Sequence, residues 1–471
     1  MTIVQKTINN ITIGVVLLLC ASTTSAVERY VPGQYATIQA AIDDCVAGDV
    51  VIIAPGTYSG SGNRQIYLWG KAITVRGTDP EDPKTVANTI IDCQQAGCGF
   101  IFRMREGTNS IISGLTIANG RGYSLLGGAI YCVGSSPQIT NCVIRNNYAN
   151  CGGAVWCAGS SSPEITNCIV SDNSALIYGG AIYCNGGSPK ISNCVIAGNA
   201  ALSGAGIYCL STSAVIQNCT FNGNAGTSSS SGIHGSSSSN LIVNNSILWT
   251  NMPQNGHQVL LSSSGGASSL DVSYCNVRGG ISAVLAEAGC TLKWGAGNLD
   301  PNPMFAGGPW GDYYLERTSA CVDAGSDLAS KLGLDKLTTQ TDGQRDSGLV
   351  DMGYHYPSNA VTVAAVVEIK PDTLNVESQG QWITCYIWLP EGCNVDQIDP
   401  GTILLAGQIK PDRFRIDEEA QVAIAKFARQ VLANNVESAE VQLAVSGMLA
   451  DGTNFQGADV IRVIGNGSKK K

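Results

Sequence analysis

The sequence predicts an all-β protein whose larger part is a solenoid of stacked parallel strands, and two observations support this. A unit of about 25 residues returns four times between residues 113 and 224. Its copies are rich in Gly, Ser, Asn, Ile, Val and Cys and almost free of leucine, which argues against a leucine-rich horseshoe. Short strands at this period close one turn of a coil, and the coils must stack to bury a common core.

The first 26 residues have the features of a secretory signal. Lys6 gives a weak positive start, an apolar run covers residues 11–20, and Thr24-Ser25-Ala26 is a small-residue cleavage site. A lipid-anchored Cys20 is the alternative, and Leu19 before it argues against that. No later apolar stretch is long enough to span a bilayer, so we expect a monomer that is secreted or held at the cell surface.

The charge of the chain excludes one class of partner. The formal net charge is −9 and only 13% of the residues are charged. Nucleic-acid binding requires clustered Lys and Arg, so we expect no nucleic-acid partner. The lysines at the end of the chain lie in a short basic tail, residues 466–471.

A short helix is predicted before the first coil. Ile38, Ala41, Ile42 and Cys45 follow helical spacing, and a buried strand ending at a Pro-Gly turn comes next. A solenoid exposes its core and strand edges at an open end, so this helix is expected to cap the first coil.

Two short phrases recur in every copy of the unit. One ends at cysteines spaced 25, 27 and 25 residues apart: Cys132, Cys157, Cys184 and Cys209. The other is Asn-Cys, spaced 26, 26 and 25 residues apart: Asn141/Cys142, Asn167/Cys168, Asn193/Cys194 and Asn218/Cys219. A further asparagine follows each time: Asn147, Asn173, Asn199 and Asn224. Because coils lie about 4.8 Å apart, we expect two buried cysteine columns, and coil-to-coil hydrogen bonds between the asparagines of the Asn-Cys phrase.

The 18 cysteines of the chain therefore divide into two groups. Those in the columns are expected to be core thiols that behave as small hydrophobes. The irregular ones are the better disulfide candidates: Cys93 with Cys98, Cys385 with Cys393, and as a third pair Cys290 with Cys321. No C-x-x-C pair occurs and the chain has only three histidines, so no metal site is predicted.

Several phrases resemble a known family. They are "VPGQYATIQAAIDDCVAGDVVIIAPGTYSG", the repeats "GGAIYC…SSPQITNCVIRNN", and "GNLDPNPMF", "SACVDAGS" and "VDMGYHYP" near the end of the solenoid. They resemble secreted right-handed parallel β-helix proteins of the pectate-lyase-like superfamily, over about residues 30–357. The resemblance implies a right-handed parallel β-helix. It implies no single activity, because members include lyases, hydrolases, esterases and adhesins.

A smaller domain is predicted after the solenoid. Acidic residues accumulate between residues 298 and 356, which indicates a loop-rich cap, and a boundary follows near Asn359. Short alternating strands then predict an Ig-like β-sandwich over residues 359–465, with the β-helix and its caps over 27–358. Residues 417–421 lack the pattern of a calcium loop.

One row of aromatic residues is the main candidate binding site. Tyr131, Trp156, Tyr183 and Tyr208 each stand between an inward Ile or Val and an inward Cys, so they are expected to point outward and form a strip of rings. Such a strip could bind the apolar faces of sugar rings. The alternative is that the rings only stabilise the sheet by packing across strands.

Catalytic candidates are few. Arg145 with Asp172, and Glu164 with Lys190, occupy nearly equivalent places on neighbouring coils and are interpreted as surface ion pairs. His234 is interpreted as a lone turn histidine. The sequence therefore predicts a non-catalytic polysaccharide or cell-envelope binding or structural protein without a cofactor. The resemblance keeps a calcium-dependent polysaccharide lyase open as the alternative.

Overall fold

The computed structural model describes residues 26–464 except 123–126, 228–231, 252–256, 309, 359–361, 376–377, 379, 391, 407–408, 430–439 and 450–452. The predicted signal segment, residues 1–26, lies outside this range except for Ala26, and the predicted basic tail also lies outside it. In the part of the chain described, none of the helices has the length and apolarity needed to cross a bilayer.

Residues 28–294 form a solenoid of three parallel sheets, as predicted. The first sheet contains, in spatial order, Glu28–Val31, Val50–Ile53, Thr74–Gly77, Ile111–Ser113, Gln138–Thr140, Glu164–Thr166, Lys190–Ser192, Ser213–Gln217, Asn240–Asn244, Ser269–Ser273 and Thr291–Trp294. The second contains Ile66–Tyr67, Phe100–Phe102, Ile130–Val133, Val155–Ala158, Ile182–Asn185, Ile207–Leu210, Ile233–Ser236, Val259–Leu261 and Val284–Ala286. The third contains Gly56–Tyr58, Thr89–Asp92, Thr116–Ala118, Val143–Arg145, Ile169–Ser171, Val195–Ala197, Thr220–Asn222, Ile247–Trp249 and Asn276–Val277.

A fourth parallel sheet was not predicted. It is made of Tyr148–Cys151, Ser174–Tyr178, Ala200–Ala201 and Ala225–Gly226. These strands lie in the chain between the third sheet and the second, so each of these four coils carries one additional short strand. Their residues decide how much of the aromatic row is exposed.

The strand registers align the predicted columns. Cys132 pairs with Cys157, which pairs with Cys184, which pairs with Cys209. All four side chains are fully buried, and so are the four cysteines of the Asn-Cys phrase. The thiols therefore fill the core beside an aliphatic column of Ile139, Ile165, Ile191 and Ile216.

The asparagine ladder runs through a different series from the one predicted. In the buried series Asn147, Asn173, Asn199, Asn224 and Asn251, each Oδ1 from Asn173 onward accepts both the backbone N–H and the Nδ2 of the preceding member, at 2.8–3.2 Å. In the Asn-Cys series the described structure has one such bond, from Asn193 Nδ2 to Asn167 Oδ1 at 2.9 Å. The reason is conformational: the Asn-Cys asparagines occupy left-handed corners, with φ between 46° and 54°.

The helix Ile38–Asp43 precedes the strand Val50–Ile53 and buries Ile38, Ala41 and Ile42, as the spacing predicts. Thr37 caps it by accepting a hydrogen bond from the N–H of Ala40. A second helix, Pro83–Asn88, lies between the strands Thr74–Gly77 and Thr89–Asp92, and Thr116 Oγ1 donates to the carbonyl of Val86 in it.

After the last coil the chain turns back along the outer face of the third sheet. Its elements are Phe305–Gly308 with Gly311–Leu315, the helix Ala329–Leu332, and Leu337–Thr338 with Tyr356–Pro357. We call residues 310–358 the returning segment. The N–H of Gly353 donates to the carbonyl of Asn245 at 2.8 Å, and the N–H of Tyr354 donates to Thr220 Oγ1 at 3.0 Å. The segment is loop-rich, as predicted.

The C-terminal region is a pair of β-sheets around its own core. One sheet contains Thr362–Ala364, Thr373–Asn375, Asn454–Ile464, Glu440–Leu449 and Ile398–Leu405. The other contains Val366–Lys370, Trp382–Trp388, Val422–Ala428 and Arg413–Asp417. Phe427 and Phe455, from different sheets, are fully buried in this core, which agrees with the predicted sandwich.

No disulfide joins any cysteine of the described residues, where all 17 are free thiols. Cys93 and Cys98 are both buried, and burial raises the pKa of each thiol to about 12. The pairs Cys93 with Cys98, Cys385 with Cys393, and Cys290 with Cys321 are thus unjoined in this structure, and their oxidation stays a prediction.

Candidate functional site

The predicted aromatic row exists as a column of stacked rings on the second sheet. The register places Tyr131 beside Trp156, Trp156 beside Tyr183, and Tyr183 beside Tyr208. The ring centroids of Tyr131 and Trp156 are 4.9 Å apart and their planes differ by 3°. The next two separations are 6.2 and 5.8 Å. Equal steps between coils thus hold four rings in one continuous stack.

Two of the four rings are buried, which corrects the expectation that all four are exposed. Tyr183 is 8% exposed and Tyr208 is 6% exposed. Tyr178 at the end of a fourth-sheet strand contacts both, with centroid distances of 6.4 and 4.3 Å. Burial raises the pKa of the Tyr183 phenol to about 12. At these two coils the rings therefore stabilise the sheet by packing across strands, which was the alternative to sugar binding.

The open half of the column continues toward the N-terminal coils. Tyr131 and Trp156 are half-buried, and the same register row runs through the buried Ile101 to Tyr67, two coils before Tyr131. Trp69 stacks on Tyr67 at 4.7 Å, is 46% exposed, and donates its Nε1–H to Asp43 Oδ1 at 2.9 Å.

One exposed cation lies against this open half. The guanidinium of Arg103 stands 5.2 Å from the centroid of the Tyr67 ring. We call Tyr67, Trp69, Arg103, Tyr131 and Trp156 the aromatic platform. The sequence interpretation missed its first three members because they precede the regular repeats. Counting the register backward from Tyr131 would have found Tyr67.

Comparison with known proteins agrees with this architecture. The family model described as the right handed beta helix region matches residues 57–178 and 127–277. This part of the chain is a right-handed β-helix. Among solved structures the chain is similar to the crystal structure of pectate lyase Pel9A, with 12% identity, a TM-score of 0.43, and coverage of 70% of this chain and 97% of that chain. No curated protein matches the chain.

The predicted ion pairs on the β-helix have different outcomes. Glu164 and Lys190 face each other across neighbouring strands, with Lys190 Nζ 3.0 Å from Glu164 Oε1. This contact lowers the pKa of the Glu164 carboxyl. Arg145 and Asp172 form no ion pair within the described residues. Neither pair belongs to the aromatic platform, so neither adds a charged group to it.

His234 is a strand residue of the β-helix, not the turn histidine that the sequence suggested. It follows Tyr208 in the aromatic column, with ring centroids 4.6 Å apart. It is 7% exposed, its Nδ1 lies 2.5 Å from Ser203 Oγ, and its Nε2 has no hydrogen-bond partner within the described residues. Burial lowers the pKa of His234 to about 4. The imidazole is thus a neutral ring that ends the buried stack.

Three acidic residues of the returning segment form a cluster that sequence reasoning did not assemble. Carboxylate oxygens of Asp323, Asp346 and Asp351 lie within 4.8 Å of one another, a spacing that could hold a metal ion. Two of the three carboxylates have partners: Asp346 Oδ2 accepts from His355 Nε2 at 2.7 Å and from the N–H of Asp351 at 2.9 Å, and Asp351 Oδ1 accepts from the N–H of Asp323 at 2.7 Å. Burial, and then the charge of Asp346, raise the pKa of Asp351 to about 6. These contacts are hydrogen bonds within the returning segment, and they explain the cluster as a structural one that holds this segment together.

Proposed function

We propose that this β-helix binds a polysaccharide on its aromatic platform and acts there as a binding protein. The supporting observation is the open stack of Tyr131 and Trp156, whose planes differ by only 3°. Because the two rings are parallel and stacked, they cover each other's faces, and their exposed edges form an apolar strip that can contact the C–H groups of consecutive sugar rings. Partly covered aromatic surface of this kind is typical of an interaction site.

The charge beside the rings favours an acidic polymer. Arg103 is exposed, and within the described residues it forms no ion pair. Its guanidinium lies over the Tyr67 ring, 5.2 Å from the centroid, and its N–H groups stay available for a carboxylate. A polysaccharide that carries uronate or other acidic groups would thus gain a charge-assisted hydrogen bond in addition to ring contacts.

The same face argues against hydrolysis of the bound polymer. The platform contains one arginine and four aromatic rings, whereas hydrolysis of a glycosidic bond requires two carboxyl groups flanking that bond. Asp43, a carboxylate in contact with these rings, accepts a hydrogen bond from the Trp69 indole N–H. A lyase remains the alternative, and it is tested by product release. The location outside the cell stays a prediction from residues 1–26.

The experiment measures retention of the full chain on immobilised polygalacturonate, alginate and cellulose. We expect retention on the acidic polymers, a drop of about tenfold in affinity for Trp156→Ala, and a smaller, salt-sensitive drop for Arg103→Met. Trp388→Ala is the matched control, because Trp388 is a half-buried tryptophan that stacks on Tyr386 in the sandwich region.

Two results would overturn the proposal. One is that no polysaccharide is retained, or that Trp156→Ala and Trp388→Ala bind alike. The other is sustained release of unsaturated sugars from an acidic polymer, with or without calcium, which would make the chain an enzyme.

A further inference from the structure

A second site lies on another face of the β-helix. A cleft of about 630 Å³ opens between the loop of residues 79–83 and the returning segment. Its lining includes Val143 and Ile169 of the third sheet, and Asn141 and Asn167 at the corner next to them. The cleft is thus a stretch of the outer sheet face that the loop of residues 79–83 and the returning segment leave partly uncovered.

The next coil shows what this sheet face binds. There Asn193 Oδ1 accepts the N–H of His355 at 2.7 Å, and Asn193 Nδ2 donates to the carbonyl of His355 at 2.9 Å. Tyr354 and Tyr356, on either side, are buried in a cluster with Val195. An aromatic-X-aromatic segment is therefore held by one carboxamide on its central backbone and by Val195 in the cluster around its rings. Ile169 and Trp310, at the edge of the cleft, are half-buried and pack against the same cluster.

The two coils that face the cleft repeat the same arrangement. Val143 pairs with Ile169, which pairs with Val195, so three aliphatic side chains form one outward row. Asn141, Asn167 and Asn193 all occupy the left-handed corner, with φ of 52°, 54° and 46°. The sheet face of the cleft is therefore equivalent to the one already occupied by residues 354–356.

The polar groups of the cleft have unused hydrogen-bonding capacity. Within the described residues, the Asn141 carboxamide has no hydrogen-bond partner, and Asn167 uses only its Oδ1, which accepts from Asn193. Trp310 lines the cleft, and its Nε1 is buried without a partner among the same residues. A buried N–H without an acceptor is costly, so this indole favours an occupant that brings a carbonyl.

We propose that this cleft binds an extended peptide of a partner protein that carries an aromatic-X-aromatic sequence. The Asn141 or Asn167 carboxamide bonds the N–H and C=O of the central residue, the flanking rings lie on Val143 and Ile169, and a peptide carbonyl accepts from Trp310. In an extended chain the N–H and C=O of one residue point to the same side, which is why a single carboxamide can bond both, as Asn193 does.

The test uses the sequence of the returning segment itself as the probe. A fluorescein-labelled peptide with the sequence of residues 350–357, Val-Asp-Met-Gly-Tyr-His-Tyr-Pro, is titrated with the full chain and followed by anisotropy. We expect saturable binding, weakened about tenfold by the double change Asn141→Gly and Asn167→Gly. Glycine keeps the left-handed corner and removes only the carboxamide.

Three controls isolate the contacts. Asn146→Gly alters an exposed left-handed asparagine (φ 57°) outside the cleft and should leave binding unchanged. Trp310→Phe keeps a ring and removes the indole N–H, so it should weaken binding. A probe methylated on the backbone nitrogen of its histidine lacks the central N–H and should bind as weakly as the wild-type probe binds to the double variant.

Any of three results would overturn the proposal: no saturable binding up to about 1 mM probe, equal binding by the double variant and Asn146→Gly, or loss of binding in Asn193→Gly alone. The last would mean that the probe displaces residues 354–356 and leaves the cleft empty. Trp156→Ala should not alter peptide binding, so this proposal and that of polysaccharide binding can fail separately.

Discussion

Asn147 and Asn173 are joined by two hydrogen bonds that end on one oxygen. The backbone N–H and the Nδ2 of Asn147 both donate to Asn173 Oδ1, at 3.0 and 2.9 Å. Asn173 repeats this toward Asn199 in the next coil. Each buried carboxamide thus satisfies a backbone N–H that the turn leaves without a strand partner, and it fixes the register between successive coils.

Removing one member of this ladder should destabilise the β-helix. Asn173→Ala leaves the N–H of Asn147 buried without an acceptor, so we expect the free energy of unfolding to fall by about 3 kcal/mol. The measurement is urea denaturation followed by circular dichroism. Asn185→Ala, at an exposed strand position, is the control and should change it by less than about 0.5 kcal/mol. Equal effects of the two changes would show that the ladder contributes nothing to stability.

The buried cysteine columns should resist alkylation in the native protein. Burial raises the pKa of Cys142, Cys168 and Cys194 well above the ordinary value of a thiol, and their side chains have no exposed surface. Thiolate is the reactive form, so iodoacetamide at pH 8 should leave these residues unmodified for hours. Mass spectrometry of the native and urea-unfolded protein measures this.

The same experiment decides the predicted disulfides. Unfolded protein without reductant should take up 17 labels on the cysteines after residue 26 if all are thiols, as in the structure. Oxidation of Cys93 with Cys98 and of Cys385 with Cys393 would lower that number by four. Rapid iodoacetamide labelling of the column cysteines in the native protein would contradict their burial.

The periodic part of the fold was predictable because the same residues recur at a nearly constant spacing in the sequence. The spacing of Cys132 and Cys157 fixes their register, and the same counting places Tyr131 on Trp156. The Asn-Cys series was predicted to form the asparagine ladder, and among the described residues only its Asn167–Asn193 pair is bonded, because spacing cannot tell a left-handed corner from a buried turn. Asn141 and Asn147 recur equally well, and only backbone conformation separates them.

Contacts outside the repeat could not be predicted in this way. The strand Ser174–Tyr178 that covers half of the aromatic column lies in a segment that varies from copy to copy. The pairing of Asn193 with His355 joins residues 162 positions apart. No local pattern specifies such a distant contact, so both the extent of the platform and the cleft required the structure.

The two halves of the aromatic column should respond differently to truncation. Tyr208 is buried beneath Tyr178, so Tyr208→Ala opens a cavity and should lower the free energy of unfolding by about 3 kcal/mol or more. Tyr131 is half-buried, so Tyr131→Ala should cost about 1 to 2 kcal/mol. Thermal and urea unfolding measure both. A larger loss for Tyr131 than for Tyr208 would reverse the assignment of the packed and open halves.

His234 should make the β-helix sensitive to acid. Its pKa is lowered to about 4 in the folded protein by burial, against about 6.5 in an unfolded chain, so the unfolded state binds the proton first as the pH falls. The neutral ring's contribution is fully present above pH 6.5 and should decrease by about 3 kcal/mol on reaching pH 4. His234→Phe keeps a ring against Tyr208 and removes this titration. The difference in unfolding free energy between His234→Phe and the wild type should therefore grow in favour of the variant between pH 6.5 and pH 4. Asp351 titrates in both proteins and cancels in that difference. Parallel curves over this range would show that the buried imidazole is not the group that responds to acid.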